Sequence, residues 1–544
     1  MQKTCKNCEK AFTVYQNDLD FYKHISPVFN GEKLLIPPPT LCPDCRRQRR
    51  MSFRNERNLY ARKCDLTGQN IISVYSPDKP FKIFHHSKWE SDSWDPMDFG
   101  RDYDPNTSFF EQFNKLQQLV PKKALHIPDN MINCDYCNYG GNAQNCYLCF
   151  APFESQNCLY SRVPYACQSD VDGEADIMCQ YCYECVSCVN CYECRYCQFC
   201  ENCKDSAFLI DCTACDNCFG CVGQKHKRHM FLNRQLSQEE YEEKTKDIFS
   251  SSVKLQEFEE EFAKVKQQAV YKYARSTQIE NSTGDVLRGC KNCFDSYDLF
   301  NQEDSRYCEL GGEQTHHAYD TTIAGLNMVN AYEQIGALGC HDSAFLVYVD
   351  TDQNCYYCIS CRNCSHCFGC EGLKRKQYCI LNKQYDKKEY ERLVNQIVKD
   401  MIKREEWGEF FPAKISPYAY NESLAYSYFP LGKEAVQSKG LKWKDIPDNV
   451  QKASANEDIK ACLECKKHYK LIQQEKDFYK KYRLPEPEKC PDCRYKKRLS
   501  QMPPMQFWQR GCMAEGCENT FVTSYSPNRL EVIYCEECYL KTIY

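Results

Sequence analysis

The apolar positions of this chain follow an unusual spacing. From Cys179 to Cys203 every third residue is cysteine: Cys179, Cys182, Cys185, Cys188, Cys191, Cys194, Cys197, Cys200 and Cys203. Cys134, Cys137, Cys146, Cys149, Cys158 and Cys167 fall on the same grid upstream, and Cys212, Cys215, Cys218 and Cys221 continue it downstream. An α-helix turns about 100° per residue, so a step of three drifts around its axis and forms no stripe. A flat strand would place such cysteines on both faces. A 3₁₀-helix would align them, but runs beyond three or four residues are uncommon. Short arcs joined by corners can send every third side chain inward and stack like on like. The spacing therefore predicts a β-solenoid, with ladders of Asn and Tyr on its outside.

A twelve-residue rhythm supports this. Cut from Asn133, the chain reads NCDYCNYGGNAQ, NCYLCFAPFESQ, NCLYSRVPYACQ and onward, with Asn before Cys and Gln at the twelfth place. Asn and Asp suit the corners because they tolerate left-handed backbone and bond locally. The segment from Cys212 to Tyr241 repeats without gaps from Cys361 to Tyr390, pairing Cys218 with Cys367, Cys221 with Cys370, Gly223 with Gly372, Asn233 with Asn382 and Gln235 with Gln384. A second block is thus expected, carrying Cys355, Cys358, Cys361, Cys364, Cys367 and Cys370. The links read as charged amphipathic helices. Ser237 and Glu240 form a capping box before EEYEEKTKDIF and VKLQEFEEEFAKVKQQAVYKY, and Asp386 opens DKKEYERLVNQIVKDMIKREEW. Lids over an open solenoid end are their expected role. The Pro- and aromatic-rich stretch EFFPAKISPYAYNESLAYSYFPLGKEA is expected to wrap a neighbour as an ordered loop.

The two ends carry a different pattern, and they are copies of one another. One reads CKNC, DLDFYK, LCPDCRRQRR; the other reads CLEC, EKDFYK, KCPDCRYKKR. Cys8 to Asp20 spans the same distance as Cys465 to Asp477, and Cys45 to Cys64 the same as Cys493 to Cys512. Each copy offers two CxxC pairs: Cys5, Cys8, Cys42 and Cys45, then Cys462, Cys465, Cys490 and Cys493. Zinc takes four thiolates in a tetrahedron, and two such turns close a structural site with no open position. A redox reading of the pairs needs a thioredoxin-like βαβ setting, which is not visible. Both copies resemble a small zinc-ribbon domain with the pattern CxxC, an acidic residue before Phe-Tyr, then CPxCR, over about 50 residues at each end. That resemblance implies fold and metal, not function.

A half-module follows each copy. The later one, Cys512, Cys517, SYSPNRLEVIY, Cys535 and Cys538, offers a third four-thiolate site. The earlier one reads Cys64, VYSPDKPFKIF, then His85, His86 and Lys88. It keeps the hairpin but lacks two or more ligands; Cys64 with His85 or His86 leaves a weaker site open, and a metal-free ribbon is the expectation.

Composition narrows the setting. The 544 residues have room for three to five domains, with 70 basic against 75 acidic residues, which argues against a wholly basic nucleic-acid coat. Forty-three cysteines in a chain without a secretory signal favour a reduced, metal-bound, cytoplasmic protein over a secreted disulfide scaffold. No run of about 18 apolar residues occurs, so no membrane span is expected. Three readings of the central thiols stay open: a packed reduced core, zinc, or iron–sulfur. The Cys-Pro that ends a ferredoxin-type run is absent there, which counts against the cluster.

The functional hint is basic. Arg46, Arg47, Arg49, Arg50, Arg54, Arg57 and Arg62, with Phe53 and Tyr60 interleaved, suit a phosphate backbone and splayed bases. The alternative, held slightly ahead, is that these arginines pair with acidic segments of the same chain. No Gly-rich phosphate loop, HExxH or GxSxG is present, and His316, His317, His226 and His229 come with no spaced carboxylate and nucleophile. No small-molecule substrate is evident.

The whole chain resembles an uncharacterised cysteine-rich protein family of small-genome bacteria, through CPDCRRQRR, YSPDKP, NCFGC with its LNRQ tail, and STGD at Ser282. The likeness implies architecture alone. The expected fold is mainly β: a zinc ribbon at 1–63, a degenerate hairpin and linker at 64–132, a solenoid block at 133–236, a helical linker at 237–280, a second block at 281–385, a helix and aromatic-rich segment at 386–456, and ribbons at 457–510 and 511–544. The expected function is a zinc-binding, non-catalytic structural or interaction protein holding at least three zinc ions, with an unidentified protein partner. An RNA- or ribosome-binding protein using the arginine cluster, and a thiol-redox or iron–sulfur electron carrier, are the alternatives.

Overall fold

The computed structural model describes the chain except residues 175, 187–194, 196–202, 324–325, 446–458, 503 and 544, and the side chains at 252 and 543. Cys188, Cys191, Cys194, Cys197 and Cys200 of the central grid lie outside the described residues. Secondary structure is mixed α/β, with 28% strand and 25% helix. The expectation of a mainly β chain is corrected on this point. Helices such as Ser252–Gln268 and Lys387–Lys403 run 17 residues each, and the cysteine modules add further helices of their own.

The chain forms two compact units, each discontinuous in sequence. One comprises Met1–Leu125 with Ser276–Asp445, the other His126–Arg275 with Ile446–Tyr544. Each unit thus joins a terminal cysteine module to the repeat that is more distant from it along the chain.

In the unit containing His126–Arg275, residues bridge in parallel to those twelve positions on: Ile132 to Gln144, Asp135 to Tyr147, Asn138 to Phe150, and so through Gln168 to Gln180. The bridges are single and come every third residue, so they do not merge into long strands. Tyr147 N–H donates to the Cys158 carbonyl at 3.0 Å, and Tyr160 N–H returns to the Tyr147 carbonyl at 2.9 Å. Between bridges the backbone turns left-handed, at Asn133, Tyr136, Tyr139, Asn142, Asn145, Leu148 and onward. Asn is therefore not required at these corners. Left-handed backbone costs an L-residue roughly 1–2 kcal/mol, and hydrogen bonds to both neighbouring repeats offset it.

The repeat ends in longer parallel strands, Ala207–Ile210, Asp216–Val222 and Arg228–Phe231, with Phe219 opposite Ala207 and Cys218 opposite Met230. An antiparallel return at Arg234–Gln235 closes them. The Asn233 side chain accepts from Val222 N–H at 2.8 Å and donates back to its carbonyl at 3.1 Å. Gly220 is left-handed (φ 66°), and a β-carbon there would meet the Phe258 ring at 2.8 Å. Phe258 and Phe262 of helix Ser252–Gln268 pack on Phe208 and Phe219, so the helix covers the last strands.

The other unit repeats this plan. Leu338 bridges Asp350 and Arg362 bridges Lys374, again twelve apart. Strands Thr315–Thr322, Val329–Ile335 and His341–Val347 lie parallel. Two successive steps are longer, Arg306 bridging Tyr319 and Tyr319 pairing Tyr332, each thirteen apart, and one is shorter, Thr277 bridging Arg288 eleven on. Asn382 holds Glu371 as Asn233 holds Val222, with both bonds at 2.8 Å. Gly369 (φ 65°) meets Phe109 as Gly220 meets Phe258. The core of this unit gathers Phe109, Phe345, Tyr357, Trp407 and Phe411 with Tyr390, Val394 and Val398 of helix Lys387–Lys403.

Candidate metal centres

Each terminal module builds its cysteine site from a hairpin and a helix start. Strands Gln2–Thr4 and Ala11–Thr13 pair antiparallel, and the turn between them carries Cys5 and Cys8. Glu9 takes left-handed backbone (φ 61°), which lets its N–H return to the Cys5 carbonyl at 3.0 Å. Cys42 is the N-cap of helix Pro43–Met51. Proline at the first helical position is preset for the helix and needs no N–H partner there, so CPxC points Cys42 and Cys45 back toward the hairpin. The second module repeats this with strands Ile459–Ala461 and His468–Lys470, left-handed Lys466, and Cys490 before helix Pro491–Gln501. The third uses Trp508–Gly511, Thr520–Thr523 and a left-handed Gly516, with Cys535 and Cys538 at the start of helix Glu536–Ile543.

Three groups result: Cys5, Cys8, Cys42 and Cys45; Cys462, Cys465, Cys490 and Cys493; Cys512, Cys517, Cys535 and Cys538. In each, the four sulfurs lie within 4.8 Å of one another, and each group could hold a metal ion. Individual Sγ–Sγ distances are 3.7 Å for Cys8–Cys42, 3.6 Å for Cys465–Cys490 and 3.9 Å for Cys517–Cys535. A tetrahedron of sulfurs about 2.3 Å from zinc has edges of about 3.8 Å, so the donor sets fit one ion of that size. Backbone and amide N–H groups point at the same sulfurs. Cys490 N–H meets Cys462 Sγ and Cys535 N–H meets Cys512 Sγ, both at 3.3 Å, and Asn7 Nδ2 meets Cys45 Sγ at 3.2 Å. Burial works to raise the Cys5 thiol, but N–H groups of Cys42, Cys8 and Asn7 outweigh it and bring it to about 6. Cys462 and Cys535 come to about 6 in the same way, through N–H groups of Cys465 and Cys538 respectively. One ligand of each set is thus held near its anionic form by the fold itself.

The earlier half-module keeps the scaffold and loses the site. His85 N–H meets Cys64 Sγ at 3.3 Å, reproducing the Cys535–Cys512 contact. The His85 ring instead contacts Ser87 Oγ at 2.8 Å, and Asp65 accepts from Ile83 N–H at 2.7 Å. Among the described residues, Cys64, His85 and His86 join no group of three ligands.

The described central cysteines, Cys179, Cys182, Cys185, Cys203, Cys212, Cys215, Cys218, Cys221, Cys355, Cys358, Cys361, Cys364, Cys367 and Cys370, are buried, and none belongs to such a group. Their sulfurs face backbone carbonyls. Cys149 Sγ lies 3.5 Å from the Tyr147 carbonyl and 3.2 Å from that of Cys158; Cys370 Sγ lies 3.5 Å from Phe368 and 3.4 Å from Cys379. Serine at equivalent positions makes the same pair of bonds: Ser155 Oγ donates to Phe153 and Pro164 at 2.9 and 3.0 Å. Burial pushes the thiols of Cys149, Cys158, Cys340, Cys355 and Cys361 up, which favours the S–H that can donate. Cys367 is pulled the other way by hydrogen bonds from the neighbouring thiols Cys355, Cys364, Cys370 and Cys379.

The arginine cluster is turned inward. Arg46, Arg47, Arg50 and Arg54 are buried. Arg46 forms a two-point bridge to Asp320, at 2.9 Å to each oxygen. Arg50 reaches Asp320 at 3.1 Å and Glu333 at 3.0 Å; Arg49 reaches Glu333 at 2.9 Å and Glu409 at 2.6 Å. Arg47 faces Glu309 at 3.5 Å, Arg54 faces Glu56 at 2.6 Å, and Arg62 faces Asp65 at 3.2 Å. Arg57 is half-buried. Phe53 is buried in the core, and Tyr60 donates to Glu422 at 2.8 Å. The second module docks by the same rule within its own unit. Arg494 bridges Asp172 and Glu475 at 3.1 and 3.0 Å, and Arg498 bridges Asp172 at 2.7 Å. These carboxylates escaped sequence reasoning. The available signal was the acidic position three residues before Phe-Tyr, Asp18 in one copy and Glu475 in the other; Asp18 meets Arg306 at 3.1 Å.

His316 lies 3.4 Å from Glu303 and His317 3.6 Å from Asp304, both as exposed pairs. Among the described residues no helix is long and apolar enough to cross a membrane. No family model matches this chain, and no curated protein matches it.

Proposed function

We propose that the chain is a zinc-binding, non-catalytic structural or interaction protein of the reducing cytoplasm. The observation that carries this is the set of three four-cysteine groups, each sized for a single tetrahedral ion. Four sulfurs within 4.8 Å of one another surround one ion and leave no space for a multi-iron cluster, which favours zinc over iron–sulfur. Four thiolates also leave no open position for a substrate.

The two repeats are read as short β-solenoid blocks, at 133–236 and 281–385 of the division given above. Support comes from the parallel bridges, most of them at an offset of twelve, and from the buried cysteines of the grid among the described residues. The central thiols are read as packed S–H groups. A thiol that stands where serine donates to two carbonyls is acting as a small, apolar donor, and a metal-bound thiolate could not donate.

The nucleic-acid reading draws no support from Arg46, Arg50 and Arg54, whose guanidinium groups are buried against carboxylates. Elemental analysis with free-thiol titration tests the main proposal. At least three zinc ions per chain are expected, and fewer than two in carefully purified protein contradict it. Salt-dependent RNA binding that disappears on replacing Arg46, Arg47, Arg49 and Arg50, with the fold intact, would favour the alternative.

A further inference from the structure

The two units are built alike closely enough that a difference between them is informative. Asp320 and Asp172 both receive paired arginines from a CPxCR helix. The residues before them, Tyr319 and Val171, are therefore equivalent. Each bridges one repeat back, Tyr319 to Arg306 and Val171 to Leu159. Two residues before these stand Asp304 and Asn157, and both end an amide ladder. Asn281 donates to Asn292 and Asn292 to Asp304, each at 2.8 Å; Asn133 donates to Asn145 and Asn145 to Asn157, each at 3.2 Å. The facing helices, Gln16–Ile25 and Gln473–Tyr482, correspond in turn, with Tyr15 and Ile472 as their N-caps.

What fills the space beside the ladder differs. In one unit Arg306 lies under the Tyr15 ring, 4.0 Å from its centre, and is fixed by Asp18 at 3.1 Å and Asp295 at 2.7 Å. In the other, Leu159 and Ile472 stand at the positions of Arg306 and Tyr15, and a cavity of about 430 Å³, lined by Leu159, lies beside the ladder. That is within the size of small-ligand sites, roughly 300–1,000 Å³.

Its chemistry selects a ligand class. Its apolar lining residues, Leu159, Val171, Phe478 and Tyr482, are buried, so the accessible lining is mainly polar. One side is the Asn133–Asn145–Asn157 ladder continued by Ser169; the other presents Asp477 and Lys481, with Gln474 Nε2 donating across to the Asn145 carbonyl at 3.1 Å. The side-chain amides offer donors and acceptors side by side, which suits vicinal hydroxyl groups. An added peptide strand is disfavoured, because Asn145, Asn157 and Ser169 N–H groups already bind Ile132, Gln144 and Gln156 carbonyls. An anion is disfavoured, because the single lysine lies against the Tyr181 and Tyr482 rings, 4.7 and 4.9 Å away, and Asp477 stands one helical turn before it.

We propose that this groove binds a neutral oligosaccharide of two or three rings, with sugar hydroxyls on the amide ladder. This goes beyond the zinc-scaffold reading and does not depend on it. Calorimetric titration of the full chain with cellotriose, maltotriose and N,N′,N″-triacetylchitotriose tests it. At least one should bind with a Kd of about 1 mM or tighter. The double variant L159R/I472Y, which rebuilds the plug of the other unit, should weaken binding about tenfold or more at unchanged melting temperature. Should that variant melt early, Asn157→Ala decides in its place, with the same loss expected. No binding of any of the three at about 10 mM overturns the proposal. So does binding that the plug, or Asn157→Ala, leaves intact, and so does tighter plug-sensitive binding of oligouridylate than of any sugar.

Discussion

Replacing Asp320 by asparagine is the most direct probe of how the N-terminal module is held. Asp320 is fully buried and carries three ionic contacts: two to Arg46 at 2.9 Å and one to Arg50 at 3.1 Å. Asparagine keeps the volume and removes the charge. Arg50 would retain Glu333 at 3.0 Å and Thr322 at 3.2 Å. Arg46 would retain the Leu41 carbonyl at 2.8 Å, the Tyr307 ring at 5.1 Å and a neutral amide oxygen, but its bridging carboxylate would be gone. Breaking a buried pair on one side costs about 3–5 kcal/mol, because the remaining ion is uncompensated. With Arg50 still paired, about 3–4 kcal/mol is expected, or a factor of about 10²–10³ in the unfolding equilibrium of this unit. Urea unfolding followed by tryptophan fluorescence reads this unit selectively, since Trp89, Trp94, Trp407 and Trp443 lie in it and only Trp508 in the other. Replacing both partners, as R46M/D320L, should cost less than D320N alone, because no lone charge remains. A loss below about 1 kcal/mol for D320N, or a double variant less stable than the single one, would refute the reasoning.

Three further outcomes are expected. Burial pushes the Asp352 carboxyl up to about 9, and its Oδ1 accepts from Cys364 N–H at 2.7 Å, where Ser343 Oγ accepts from Cys355 N–H at 3.0 Å. Its folded pKa lies above its unfolded one, so stability falls as pH rises from about 4 toward 9; Asp352→Ser should remove that slope and stabilise the protein at pH 7 by on the order of 3 kcal/mol, measured as melting temperature against pH. Cys64→Ser should leave bound zinc per chain unchanged, whereas Cys42→Ser, Cys490→Ser and Cys535→Ser should each remove about one ion by elemental analysis. Gly369→Ala adds a β-carbon 2.8 Å from the Phe109 ring at φ 65°, and a loss of about 2 kcal/mol or more in denaturant unfolding is expected.

The terminal ligand sets were legible because metal ligation is written locally. CxxC turns and CPxC helix starts place sulfurs within a few residues of one another, and two copies at matching distances removed the ambiguity. The twelve-residue rhythm was legible because like residues stack on like, and it reappears as the offset between bridged residues. It failed where Arg306 meets Tyr319 and Tyr319 meets Tyr332 thirteen residues on, and where Thr277 meets Arg288 eleven on, since an added or missing residue shifts the frame without changing the composition. Left-handed corners at Tyr136 and Leu148 were not legible either, because the bonds that sustain them come from neighbouring repeats rather than from the residue itself.

By itself, then, the sequence determined the chemistry that acts over short separations: which sulfurs can share an ion, where the helices start, and how far apart repeats recur. The tertiary structure decided what the charges are for. An arginine beside a ribbon reads equally as a phosphate clamp or as half of an ion pair, and the choice depends on carboxylates 274 residues away for Arg46 and 326 for Arg498. The same holds for the pairing of each terminal module with the more distant repeat. Coulombic attraction in a buried site depends on distance in space and on exclusion of water, and neither quantity is carried by the order of residues along the chain.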